Sequence, residues 1–181
     1  MKTLILSVGI ILSWSVSHAG VYGDLEFGDD RETVTDKLKR SPLVEQTIDD
    51  TFIARTGLNG IFRCKAKISG LSCHLYFNWD QQGGLNEITL RSESLKAEEY
   101  QTTLSKAWVD AESLFSKVYE LPTQKAPYPP EAAYTEHQMM ISHIWKKPEE
   151  KTILMGTGME KNGCFLFIRF ASQDLELDSK E

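Results

Sequence analysis

Little in this chain belongs to an enzyme signature. Gly-x-Ser-x-Gly, the turn that presents a serine nucleophile, does not occur. No Gly-Lys-Ser/Thr opens a helix, so there is no phosphate-binding loop. Asp80…Gly83-Gly84…Glu87 lacks the alternating oxygen ligands of a calcium loop and reads as a turn. No His–Cys or paired-carboxylate arrangement stands out along the chain, although such groups converge in space rather than in sequence. Positive charge is also short. Lys and Arg number 20 against 26 Asp and Glu, a net −6 at pH 7. That excludes general affinity for nucleic acid or anionic membrane surfaces. There is no Asn-x-Ser/Thr sequon, so N-glycosylation is not expected. Beyond residue 19 no apolar run approaches the ~20 residues of a membrane span.

What is present begins with a leader. Lys2 is followed by a largely apolar stretch, Thr3 to Val16, and then by Ser17-His18-Ala19. A charged start, a short apolar run and small residues at the last and third-last positions predict a secretory signal peptide over residues 1–19, cleaved after Ala19. Ser7, Gly9, Ser13 and Ser15 dilute the run too far for an anchor helix. The expected compartment is the periplasm or the extracellular space, with no stable membrane anchor after cleavage. The first cysteine is Cys64, so no lipid-modified N-terminal cysteine is expected. The remaining chain is of a size to fold around one core without metals.

Hydrophobic patterning predicts strands and helices in alternation. Val21–Phe27 reads as a short strand. Asp29 and Glu32 form a capping-box pair for a helix over about Arg31–Lys39, with Val34 and Leu38 on one face and Ser41-Pro42 as its stop. Strands are predicted at Thr51–Arg55, Gly60–Lys67, Leu71–Trp79 and Leu85–Ser92, with tight turns between them. Lys96–Glu120 predicts a helix of about seven turns. Its apolar stripe is Ala97, Tyr100, Leu104, Ala107, Trp108, Ala111, Leu114, Phe115 and Val118, and Lys106 and Asp110 are spaced to pair on the wet face. Pro122, Pro127, Pro129 and Pro130 stiffen the loop that follows. Three more strands are predicted at His137–Lys146, Lys151–Met159 and Cys164–Ala171. Gly156-x-Gly158…Lys161-x-Gly163 is assigned to a hairpin turn. Residues 172–181 form an acidic tail. The fold class that follows is α+β: an antiparallel meander sheet packed against a short and a long helix, within a single domain over 20–171. The order also suggests two helix-then-meander repeats, about 20–92 and 96–171.

Several of these elements carry a resemblance. Phe27-Gly28 leads directly into a short acidic-capped helix (Asp30, Val34, Leu38). Tyr76-Phe77-Asn78-Trp79…Gly83-Gly84-Leu85…Ile88 follows as an aromatic strand, a Gly turn and a Leu-x-x-Ile strand. Leu114…Tyr119…Leu121-Pro122, Trp145 and Phe165-Leu166-Phe167-Ile168 come in the second half. In these the chain resembles the fold group of the β-lactamase inhibitory proteins and the small outer-membrane-assembly lipoproteins. It differs from the lipoproteins in lacking their lipidation cysteine. The resemblance implies binding of other proteins rather than catalysis, and it carries over no binding residue.

The cysteines and one sheet face supply the site candidates. If Lys67 and Gly70 close the first hairpin, Ala66 faces Leu71, Lys65 faces Ser72 and Cys64 faces Cys73. A Cys64–Cys73 disulfide is then expected on the apolar face, contributing roughly 2–3 kcal/mol. The alternatives are two buried free thiols or a bond to Cys164, which is otherwise a buried thiol. His137, Met139, Ile141 and His143 would share one strand face, and His and Met ligate copper. Two histidines six residues apart on a strand lie roughly 20 Å apart, too far to share an ion, so no metal or other cofactor is expected. The opposite face of the first meander carries Arg63, Lys65, Lys67, His74, Tyr76 and Arg91. This basic, aromatic-bearing patch stands out on an acidic protein. It is either a solvated face with lysines that discourage aggregation or a docking surface, since Arg and Tyr anchor interfaces. The function expected is a non-enzymatic exported module that binds another protein, of the inhibitor, immunity or envelope-assembly type. Two alternatives stand beside it. One is a small periplasmic enzyme or ligand-binding protein whose site forms only in three dimensions. The other is a self-associating envelope component.

Overall fold

The structure is a computed structural model. It describes residues 21–48, 57–135, 137–147, 151–161 and 163–172. The leader expected over residues 1–19, all but Ser172 of the tail expected over 172–181, and the strand expected at Thr51–Arg55 lie outside the described residues.

Among the described residues, eight strands form one antiparallel sheet that carries two helices, an α+β architecture. In chain order the elements are α1 (Arg31–Arg40), β1 (Val44–Gln46), β2 (Phe62–Cys64), β3 (Cys73–Trp79) and β4 (Leu85–Ser92). Then come α2 over residues 97–119, β5 (Gln124–Lys125), β6 (Met139–Lys147), β7 (Lys151–Glu160) and β8 (Gly163–Ala171). The order across the sheet is β1-β2-β3-β4-β8-β7-β6-β5. Each helix is thus followed by a four-strand meander, and the two meanders meet at the β4–β8 seam, where Leu90 faces Ile168.

Local chemistry sets the helix ends. Asp30, rather than the expected Asp29, caps α1: its Oδ1 accepts from the Thr33 N–H at 2.8 Å. Asp29 instead accepts from the Glu26 N–H and from Lys37 Nζ, which ties the entry loop to the helix. Val34 and Leu38 bury the face that the spacing predicted. The second helix opens with a 3₁₀ turn (Ala97–Glu99) and a π turn (Tyr100–Leu104) before its α-helical run, Ser105–Tyr119. The widened turn is held from outside, since the Tyr128 hydroxyl donates to the Tyr100 carbonyl at 2.6 Å. Tyr100 in turn donates to the Pro129 carbonyl at 2.7 Å. Glu120, with φ of 69°, ends the helix in left-handed backbone, and Trp145 Nε1–H donates to its carbonyl at 3.1 Å.

Both helices lie on one face. The contiguous core joins Val34 and Leu38 to Leu75, Phe77, Ile88 and Leu90 of the first meander. It continues through Tyr100, Leu104, Ala107, Trp108, Ala111 and Phe115 to Trp145, Ile153, Met155, Leu166, Ile168 and Phe170. Leu114 and Val118 do not join it. They are 50% and 64% exposed, because they form a second ridge of α2 beside the one that meets the sheet, bordering a shallow apolar recess with Tyr22 and Phe170. Asp110 accepts from Ser69 across the hairpin turn.

Other expectations change on contact with the structure. Val21–Phe27 is a turn closed by a Tyr22–Leu25 bridge. The strands β1 and β5 are additions at the two sheet edges, three and two residues long. The expected disulfide is not formed, and Cys64, Cys73 and Cys164 are buried free thiols. The ladder between β2 and β3 pairs Arg63 with His74, but the turn is closed by Ile68 and Leu71 around Ser69 and Gly70, both at positive φ. The register therefore slips by two residues between them, and no thiols approach to bonding distance. Cys64 Sγ instead accepts from the Tyr22 hydroxyl at 3.2 Å. Burial pushes the Cys73 thiol up to about 12 and the Cys164 thiol up to about 11, so both are poor nucleophiles.

Candidate functional site

One face of the sheet has an unusual property: several of its side chains are buried although neither described helix packs there. Phe165 is 4% exposed, Phe167 1% and Leu154 1%, yet none belongs to the helix-side core. The sheet curls toward this side. Tyr76 on β3 and Met139 on β6 are separated by three strands, roughly 19 Å in a flat sheet. They nevertheless line one recess of about 210 Å³, with Asn59, Asn78, Thr89, Phe165 and Phe167. Two glycines of β7 permit the curl. Gly156 pairs with Phe167 and Gly158 with Phe165, and each ring lies where the glycine's Cβ would be, 2.7 and 2.2 Å from it. These glycines are strand residues, not the hairpin turn that their spacing suggested.

The basic residues of the first meander fall on this concave face in a definite order. Arg63 faces His74, and His74 faces Arg91, so the three form a row across β2, β3 and β4. Tyr76 stands one step along, with its ring against Gly60. Lys65 and Lys67 lie past the end of β2, exposed in the approach to the hairpin turn. The row is less basic than its sequence. Arg63 Nη2 pairs with Glu45 Oε1 at 2.6 Å and Arg91 Nη2 with Glu160 Oε1 at 2.5 Å. The carboxyl of Glu160 stays below the usual carboxylate range: burial opposes ionisation, but Arg91 and the Ser94 hydroxyl outweigh it. The Arg91 guanidinium lies 3.8 Å from the centre of the Phe165 ring and 6.0 Å from that of Tyr76. Arg169 repeats the pattern, 5.8 Å from the Phe167 ring and 3.3 Å from Glu87. The site is therefore a curled, half-apolar surface on which flat guanidinium groups rest on phenyl rings, each with a carboxylate partner.

Sequence reading missed Phe165, Phe167, Arg169, Glu87, Glu160 and Met139 as members of this face. The available signal was the unbroken apolar run Cys164-Phe165-Leu166-Phe167-Ile168, which marks a strand buried on both sides.

A second cluster has the outline of a catalytic chain. A bulge between Ile141 and His143 turns both Ser142 and His143 toward α2. Ser142 Oγ lies 3.0 Å from His143 Nδ1, and His143 Nε2 lies 3.6 Å from Glu112 Oε2. The serine, however, is 4% exposed. Its oxygen accepts from Trp108 Nε1–H at 2.8 Å and bonds the Met155 carbonyl at 3.2 Å. A hydroxyl committed to three core partners pins the helix to the sheet; it does not present a nucleophile. The bulge also separates the residues expected to share a strand face: Met139 lies on the concave face, His143 is wholly buried, and His137 precedes the strand. Among the described residues no group of three or more potential metal ligands converges.

His143 sets a pH dependence. Burial lowers its pKa below the ordinary 6.5; Glu112 opposes that shift and Lys125, itself paired with Glu112, adds to it. The unfolded chain thus takes up a proton at higher pH than the folded one. Stability should fall as pH drops from about 6.5 through the folded value, then level off. In His143→Gln this part of the slope should vanish, as read from urea midpoints between pH 7 and 5. An unchanged slope would place its origin elsewhere.

Comparison of this chain with protein-family models, with curated proteins and with solved structures finds no match.

Proposed function

We propose that the protein is an exported, non-enzymatic module that binds another protein through the concave face of its sheet. The observation that carries this reading is the row Arg63–His74–Arg91 beside Tyr76 and the two buried phenyl rings, on a sheet face that neither described helix covers. Arginine and tyrosine supply most anchor energy at interfaces, and guanidinium groups already resting on aromatic rings lose little freedom on binding. The leader over residues 1–19 supports action in the periplasm or outside the cell. The helix-then-four-strand order of each half supports reading the domain as two repeats of one unit. The same order is compatible with the fold group of β-lactamase inhibitory proteins and outer-membrane-assembly lipoproteins.

The test uses immobilised protein and an envelope extract of the source organism. The wild type should retain a defined partner. Arg63→Glu combined with Lys65→Glu should weaken the association and reduce its salt dependence. The melting temperature should stay nearly unchanged, because the Arg63–Glu45 pair is exposed and such pairs contribute within about 1 kcal/mol. Reproducible failure to retain any protein, with turnover of a small substrate, would reverse the assignment. Unchanged affinity and salt dependence in the double variant would reduce the row to a solvated sheet face.

A further inference from the structure

A second surface, which shares Met139 with the concave recess, lies at the other end of the sheet, where the edge strand stops short. β5 pairs with β6 only at Ile144 and His143. Flanking bonds run from the Thr123 N–H to the Ile144 carbonyl (2.8 Å) and from the Ala126 N–H to the Ser142 carbonyl (2.7 Å). Pro127 comes next and has no N–H to give. Tyr128 then carries the chain away to α2, its ring centre 5.5 Å from that of Trp108 and its hydroxyl on the Tyr100 carbonyl. Ahead of the bulge, Met139, Met140 and Ile141 therefore pair with β7 on one side, and no strand among the described residues pairs with them on the other. Met139, Ile141 and Ile144 line a recess of about 390 Å³ there, together with Gln124 and Ala126.

We propose that this open edge of β6 takes up an extended segment of another protein. The segment adds as an antiparallel strand in line with β5 and seats apolar side chains against Met139 and Ile141. An unpaired strand edge offers backbone donors and acceptors at the spacing of an extended chain, and alternate side chains of the added strand fall on one face. Sheet edges that must stay free carry charges or prolines, and Met139-Met140-Ile141 has neither. A second copy fits poorly. Two such edges would join through three residues each, far less than the roughly 1,200 Å² that a stable interface buries.

The probe is a fluorescein-labelled, acetylated and amidated peptide, Lys-Val-Thr-Val-Thr-Val-Lys, titrated into the full-length mature protein and read by anisotropy. Saturable binding is expected, with new hydrogen-exchange protection at the Met139 and Ile141 amides. N-methylation of alternate residues keeps the side chains and removes donors; affinity should fall roughly tenfold or more. Ile141→Lys should weaken binding to a similar degree while keeping the wild-type melting temperature. Arg63→Glu with Lys65→Glu should leave this binding unchanged, which separates the edge from the concave row. No binding up to about 1 mM, equal binding of the methylated peptide, or protection elsewhere would each overturn the proposal. So would protection of the same amides by concentration-dependent dimers without peptide.

Discussion

Gly156→Ala should lower the stability of the protein by about 3 kcal/mol, and Gly158→Ala by only about 1–2 kcal/mol. The difference lies in what an added methyl group would meet. At position 156 it would stand 2.1 Å from the Met140 carbonyl oxygen and 2.7 Å from the Phe167 ring. The first is backbone, locked into the β6–β7 ladder beside the bulge, so the two strands must part for the methyl to fit. At position 158 the three nearest atoms all belong to the far end of the Phe165 ring. That ring can swing, although doing so disturbs Arg91 above it. For a chain of this length, 3 kcal/mol corresponds to a fall of roughly 6–12 °C in melting temperature. Thermal unfolding of the two variants side by side is the measurement. If Gly156→Ala melts with the wild type, the curl is not set at that glycine.

Trp145→Ala should be at least as damaging, costing about 3–5 kcal/mol. Trp145 is 1% exposed, its rings stacked at 5.6 Å on His143 and 6.0 Å from Phe115. Its indole N–H also holds the carbonyl of Glu120, the left-handed residue at which α2 stops. Alanine would leave a cavity and remove the indole's bond to that carbonyl. Trp145→Phe keeps most of the volume and loses the bond, so about 1–2 kcal/mol is expected. Urea unfolding of the pair separates the contributions. Similar losses in the two variants would mean that the helix stop, rather than the packing, dominates.

The parts of this fold legible in the sequence are those where one periodicity acts alone. The helix α1 announced its buried face through Val34 and Leu38, and β4 was bounded correctly at Leu85 and Ser92 because turns flank an apolar-rich run. The long helix was legible in extent. The fate of Leu114 and Val118 was not, because spacing cannot say how wide a stripe the sheet will cover. The strands β1 and β5 are too short for alternation to register. The bulge that turns Ser142 and His143 together leaves no mark in composition. Of the candidate site, Arg63, His74, Tyr76 and Arg91 were legible because they belong to one local hairpin and its neighbour. The carboxylates that neutralise them were not. Glu45 and Glu160 arrive from distant stretches of chain, and only the tertiary fold brings them there.

The place of β8 in the strand order has a consequence for the time course of folding. It is last in sequence among the described strands, yet it sits in the middle of the sheet, between β4 and β7. Until Gly163–Ala171 is available, the two meanders cannot join, and each presents a bare apolar edge. The contacts that unite them link residues such as Leu90 and Ile168, far apart in the chain. Non-local pairings of this kind form slowly, and the waiting halves are exposed to mispairing with other chains. A newly made chain therefore spends its most vulnerable interval with nearly all of its strands present and its sheet still open at the centre.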